Sequence, residues 1–199
     1  MKIGIIGSGS WGTALAKIIC SNGQKIYWWN RSESTIEQFR QKAHHPHYLS
    51  SAKFDMNQIS FTTQLKEVID HSDVLIIAIP AAYVAEVFAA LPKNAFEGKK
   101  ILSAIKGILP QENLLLNEYL QKYFDVSLEN YFAVLGPCHA EEVAAEKLSY
   151  LTAGMIKNLP NFVFDIISFS ANNPVFVSLP FGATPHAEST LRPFCLSLK

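Results

Sequence analysis

Three glycines stand close together near the amino terminus, in the order Gly7-Ser8-Gly9-Ser10-Trp11-Gly12. Glycine at the first two positions removes the Cβ atoms that would keep a diphosphate off the backbone, and a helix opening at this point aims the positive end of its dipole at the negative charge. Gly7, Gly9, Ser10, Trp11 and Gly12 are therefore candidates for holding a dinucleotide. Lys106 is a second candidate. It follows an otherwise apolar run, where an ammonium can reach a carbonyl or phosphate oxygen of a bound molecule, the plain alternative being a surface lysine that snorkels from a strand end. A third group, Gly136-Pro137-Cys138-His139-Ala140-Glu141-Glu142, joins a turn to a helix start. Its carboxylates oppose the helix dipole, and Cys138 has no identifiable partner base that would make it a nucleophile.

The glycine turn is a weak signal alone, and its surroundings strengthen it. The run Lys2 to Ile6 predicts a strand before it, and Thr13 to Ile19 predicts a helix after it. Asn22-Gly23 suits a left-handed helix cap, and Lys25 to Asn30 predicts a second strand, all within the ~30 residues of a dinucleotide-binding unit. An acidic residue at the end of that second strand would accept hydrogen bonds from the adenosine ribose and repel a 2′-phosphate. Here the strand ends Asn30-Arg31, so the site tolerates or prefers NADPH over NADH, with Glu33 near enough in sequence to oppose this.

The alternation continues. Asp73 to Pro80 reads as a strand buried on both faces, with a helix from about Ala82 to Leu91 behind it. Lys100 to Ile105 is the next strand, and an amphipathic helix after Pro110 carries Leu114, Leu115, Tyr119 and Leu120 near one face. Tyr131 to Leu135 follows as a further strand. Such alternation predicts an α/β fold with a doubly wound parallel (Rossmann-type) sheet, whose ligands lie beyond the carboxyl ends of the strands. The segment Gln41 to Tyr48, with His44, His45 and His47 crowded around Pro46, lacks the spacing and nearby carboxylate of a metal site and reads as an exposed loop near the cofactor. No metal is expected. Beyond Leu159 the character changes: half of the ten prolines lie from Pro160 onward, with few charges, so residues 1–158 are expected to form the nucleotide-binding domain and 159–199 an irregular tail.

With 199 residues the chain can bury a full core, and its formal net charge is zero. The absence of a basic stripe argues against a nucleic-acid partner. The three cysteines, Cys20, Cys138 and Cys195, are scattered and odd in number, as in a reduced intracellular protein. The apolar start lacks a small-residue cleavage site, and no apolar run is long enough to span a bilayer, so a cytoplasmic location is expected.

Taken together, Gly7 to Ala16, Asn30-Arg31, His47-Tyr48-Leu49, Ala78-Ile79-Pro80, Ile105-Lys106-Gly107-Ile108 and Leu135 to Ala144 resemble, in order, the bacterial NAD(P)-dependent glycerol-3-phosphate dehydrogenase family over roughly residues 1 to 155. The resemblance implies reversible reduction of dihydroxyacetone phosphate to sn-glycerol 3-phosphate, an entry to phospholipid synthesis, with NADPH or NADH as cofactor. It implies cofactor contacts at Ser10, Trp11, Arg31, Tyr48, Lys106 and Ala140, and substrate contacts at Lys106, Gly136 and Cys138. Family members commonly carry Ser where Cys138 stands.

The family continues into a helical domain that supplies a general-acid/base lysine in a Leu-Lys-Asn context and an Arg-Asn pair for the substrate phosphate. Neither is found in these 199 residues. The departure near residue 155 is what a truncated or frame-shifted reading would give. Losing the proton donor removes ~10² to 10⁴-fold in rate, so cofactor binding with little turnover is expected. An apolar face left without the helical domain would promote self-association or homo-oligomer formation. The rival readings are a different keto or hydroxy acid reductase completed by a partner, and a non-enzymatic NAD(P)-binding module; substrate dependence separates them.

Overall fold

Strand and helix alternate from the first residues onward: β1 (Ile3–Ile6), α1 (Ser10–Ser21), β2 (Ile26–Trp29), α2 (Glu33–Lys42), β3 (Ile59–Thr62), α3 (Leu65–His71), β4 (Val74–Ile77), α4 (Val84–Phe88), β5 (Lys100–Ser103), α5 (Leu116–Phe124), β6 (Tyr131–Leu135), α6 (Ala140–Ala144), β7 (Ser149–Gly154) and β8 (Val175–Ser178). The structure is a computed structural model that describes residues 1–135, 139–145, 149–154 and 175–178. The strands form one sheet in the order β3-β2-β1-β4-β5-β6-β7-β8. Strands β1 to β6 are parallel, β7 runs antiparallel to β6, and β8 is parallel to β7. The order reverses at β1, which lies between β2 and β4, and in sheets of this kind ligands bind beyond the carboxyl ends of the strands at the reversal.

The apolar residues explain this arrangement. Every residue of β1 and β4 is buried, as expected of central strands covered on both faces. Ile3, Ile5, Val74, Ile76 and Leu102 face one core, with α1 and α6 packed against it. Ile6, Leu75, Ile77 and Ile101 face the other core, shared with Val68, Phe88 and Leu120. The period-two alternation of the strands thus divides one apolar run between two layers. Helix α1 closes as Asn22-Gly23 suggests: Gly23 adopts φ +75, its N–H donates to the Cys20 carbonyl, and Gln24 N–H donates to Ile19. Within α1, burial pushes the Cys20 thiol up to about 12, so it is an unreactive core side chain at neutral pH.

Several elements differ from the sequence expectation. Helix α2, strand β3 and helix α3 were not foreseen: α2 buries only Ile36 and Phe39, and β3 is a partly exposed edge strand, so neither carries a strong apolar period. The helix expected over Ala82 to Leu91 is a 3₁₀ turn at Ala81–Tyr83 followed by the shorter α4. Leu114 and Leu115 precede α5, with Leu115 at its N-cap and exposed; only Tyr119 and Leu120 of the expected face are buried in the helix. In the tail, the described residues Val175–Ser178 form a strand where irregular chain was expected.

The histidine segment is the largest correction. Gln41 and Lys42 end α2, and in the loop that follows His47 and Tyr48 are exposed as expected, but His45 is only 2 % exposed and joins an aromatic cluster with Phe39, which in turn meets Trp28, Phe54 and Phe61. Its Nδ1 accepts the backbone N–H groups of His47 at 3.1 Å and Tyr48 at 3.2 Å. That nitrogen is occupied by main-chain donors, which removes it as a metal ligand. Burial, then the neighbouring His47 and His44, lower the His45 pKa to about 4, against an opposing hydrogen bond with the Ser8 backbone. The ring of the unfolded chain titrates at the ordinary 6.5. Between these values the unfolded chain binds a proton that the folded chain refuses, so this contribution to stability is complete above pH 6.5 and lost as pH falls toward 4. Urea unfolding from about pH 7.5 down to about pH 4.5 is expected to show a loss of up to about 3 kcal/mol that is smaller in His45→Leu; parallel profiles for the two chains would contradict this.

Candidate functional site

The three glycines of the turn after β1 have different physical reasons to be glycine. Gly7 adopts φ +117, and a Cβ there would lie 2.6 Å from the Ala78 carbonyl beyond β4. A Cβ at Gly12 would lie 2.6 Å from the Gly7 carbonyl, so α1 packs directly on the turn. Gly9 differs from both. Its backbone is ordinary, φ −68 and ψ 178, and a Cβ built on it meets no atom within 4 Å. Nothing within the described chain demands glycine at this position. An approaching ligand would, because an open space free of side chain lies there against the start of α1.

Gly9 is also the N-cap of α1, without a side-chain cap and with no acidic residue in the first turn. The first turn of this 12-residue helix therefore has no side-chain cap or acidic residue of its own to offset its positive end. The turn itself is firmly held. Thr13, fully buried, donates from both its amide and its hydroxyl to the Gly9 carbonyl at 2.9 Å, and the buried Trp28 indole donates to the Gly7 carbonyl at 2.9 Å. Sequence reasoning missed Trp28 and Thr13, whose roles are visible only once β2 lies beside β1.

Trp11 and Lys106 come together beyond the carboxyl ends of the strands. Lys106, exposed beyond the end of β5, places Nζ 5.8 Å from the centroid of the Trp11 ring, within the reach of a cation–π contact. Trp11 Nε1 is buried with no hydrogen-bond partner among the described residues, and the same holds for Asn30 Nδ2 at the end of β2. Two orphaned donors and an open backbone cradle at one end of the sheet fit a ligand rich in oxygen acceptors, as a dinucleotide is.

Beyond Asn30 the chain turns into α2. Asn30 Oδ1 accepts the Ser32 N–H at 3.0 Å, and Ser32 Oγ caps the helix by accepting the Thr35 N–H at 3.3 Å. Arg31 between them is exposed, and among the described residues it forms no ion pair with Glu33. Tyr48 is 45 % exposed and packs its ring on His45 at 4.8 Å. Ala140 opens α6 and is buried where α6 meets α1. Gly136 and Cys138 lie outside the described residues. The structure thus places Gly7, Gly9, Ser10, Trp11 and Gly12 at the carboxyl end of β1, with Lys106 beyond β5 against the Trp11 ring and Arg31 at the neighbouring strand end.

No helix of the described residues is long and apolar enough to cross a membrane. Comparison with known proteins gives one consistent result. Residues 2–159 match the family model described as NAD-dependent glycerol-3-phosphate dehydrogenase N-terminus. A glycerol-3-phosphate dehydrogenase [NAD(P)+] of Agathobacter rectalis is 33 % identical over 153 residues, covering 77 % of this chain and 45 % of that protein. A Thermoanaerobacter relative of the same description is 35 % identical over 148 residues, with 73 % and 43 % coverage. The chain therefore spans a little under half the length of these relatives. Among solved structures, the glycerol-3-phosphate dehydrogenase of Coxiella burnetii superposes with a TM-score of 0.73 at 23 % identity, covering 89 % of this chain and 53 % of that one. The Plasmodium falciparum enzyme gives 0.76 at 23 % identity, with 90 % and 52 % coverage, which establishes the shared fold. With the family model covering most of its length, the chain belongs to the NAD-dependent glycerol-3-phosphate dehydrogenase N-terminal family.

Proposed function

We propose that this chain is the nucleotide-binding part of an NAD(P)-dependent glycerol-3-phosphate dehydrogenase, which interconverts dihydroxyacetone phosphate and sn-glycerol 3-phosphate in the cytoplasm for phospholipid synthesis. One observation carries the reading: Gly9 leaves open space at the uncapped start of α1, where no contact within the described chain requires a glycine. The assignment of residues 1–158 to the nucleotide-binding unit, with 159–199 as a divergent tail, draws support from the family match.

In this reading the α1 amides at Ser10 and Trp11 hold the diphosphate, and Arg31 takes the adenosine ribose with its 2′-phosphate. Tyr48 and Ala140 line the nucleotide, while Gly136 and Cys138 are assigned to the substrate from the family pattern alone. When bound, the reduced nicotinamide supplies a hydride to the ketone carbon. Lys106, steered by the Trp11 ring, brings its ammonium to the oxygen on which negative charge develops. The family's proton-donating lysine and phosphate-binding Arg-Asn pair have no counterpart in these residues, so binding without appreciable turnover is the behaviour we assign to the chain alone. An apolar face left without the helical domain is the surface to which this reading assigns self-association.

Gly9→Ala separates this reading from a purely structural turn. It is expected to leave thermal stability unchanged or slightly raised while weakening NADPH binding about tenfold or more, measured by quenching of tryptophan fluorescence; unchanged affinity would count against a diphosphate at this turn. Arg31→Ala is expected to weaken NADPH about tenfold and to leave NADH within about twofold, so equal effects on the two nucleotides would reduce Arg31 to a solvated surface residue.

A further inference from the structure

We propose that His45 is a positioning residue for the nucleotide: its imidazole fixes the segment bearing Tyr48 and seats it on the aromatic cluster that supports the glycine turn. This rests on the nucleotide-binding reading above. The segment needs such a clamp. It runs between two residues with left-handed backbone, Ala43 at φ 54 and Leu49 at φ 50, conformations that cost free energy for side chains other than glycine. Its backbone is tied by the Phe54 N–H to the Ala43 carbonyl at 2.9 Å and the Ala52 N–H to the Leu49 carbonyl at 2.8 Å. Between these ties the segment is gathered by His45.

Nδ1 of His45 accepts two main-chain N–H groups, those of His47 and Tyr48, which places the proton of the neutral ring on Nε2. The same ring packs on Phe39, which meets Trp28, and the Trp28 indole donates to the Gly7 carbonyl. One side chain thus fixes the Tyr48 backbone with its Nδ1 and seats the segment on the aromatic cluster that supports the glycine turn.

The surroundings argue against a catalytic or metal role. Phe39 of α2 meets the ring edge-on at 5.8 Å, Tyr48 packs over it, and its titratable neighbours are His44, His47 and Tyr48, all from its own segment. No carboxylate among the described residues pairs with it. An apolar side chain could fill the same volume, but it would leave two amides without their partner.

The test compares His45→Leu, which keeps the packing volume, with His45→Asn, which is smaller but keeps an acceptor where Nδ1 stands. NADH affinity and amide exchange at His47 and Tyr48 are measured on the full chain. His45→Leu is expected to bind NADH about five- to tenfold more weakly and to lose protection at both amides, while His45→Asn keeps that protection and binds tighter than His45→Leu. The reverse order of affinities would mark the ring as a space filler and overturn the proposal. If the unaltered chain binds NADH and His45→Leu binds it equally well, this inference alone falls. Failure of the unaltered chain to bind NADH would overturn the nucleotide-binding reading and this inference with it.

Discussion

The carbonyl of Gly7 sits at a close approach between the end of β1 and the start of α1. It stands where a side chain at Gly12 would have to be, and it accepts the Trp28 indole N–H. Leaving such a buried acceptor unmet would cost about 1 to 3 kcal/mol, so Trp28 stabilises the turn as well as filling the core. Closing the turn this tightly brings α1 down onto the sheet with its first amides uncapped. The positive helix end and the open space at Gly9 both follow from that closure.

The groups around the turn follow from the order of the strands. Because β1 has β2 on one side and β4 on the other, the ends of β2, β4 and β5 converge on the same rim. Arg31 is carried there by β2 and Lys106 by β5, and Lys106 meets the Trp11 ring offered by α1. Two buried donors without partners among the described residues, Trp11 Nε1 and Asn30 Nδ2, lie in residues of this rim. Core packing accounts for the rest of the sheet but not for those two atoms. A ligand with several oxygen acceptors does.

Much of this could be read in the residues. The spacing of Gly7, Gly9 and Gly12 between an apolar run and a helical one specified the turn, and the uninterrupted apolar stretch around Val74 to Ile77 specified a doubly covered strand. What the sequence hid were contacts made at a distance. The pairing of the Trp28 indole with Gly7 and the packing of Phe39 on Trp28 and Phe61 join residues well apart in the chain, and no local period announces them. Helix α2 and strand β3 escaped notice because one is mostly polar and the other lies at an edge, where burial is incomplete. The histidines crowded near Pro46 suggested an exposed loop by composition, whereas burial of one of them depends on the aromatic cluster beneath.

The central claim is that the backbone at Gly9 and the start of α1 receives a diphosphate. Calorimetric titration with ADP-ribose, which keeps the diphosphate and lacks the nicotinamide, tests it directly when set beside AMP. The account predicts saturable heat at one ADP-ribose per chain and binding of AMP weaker by about tenfold or more. No heat beyond dilution, or equal affinity for the two, would contradict it.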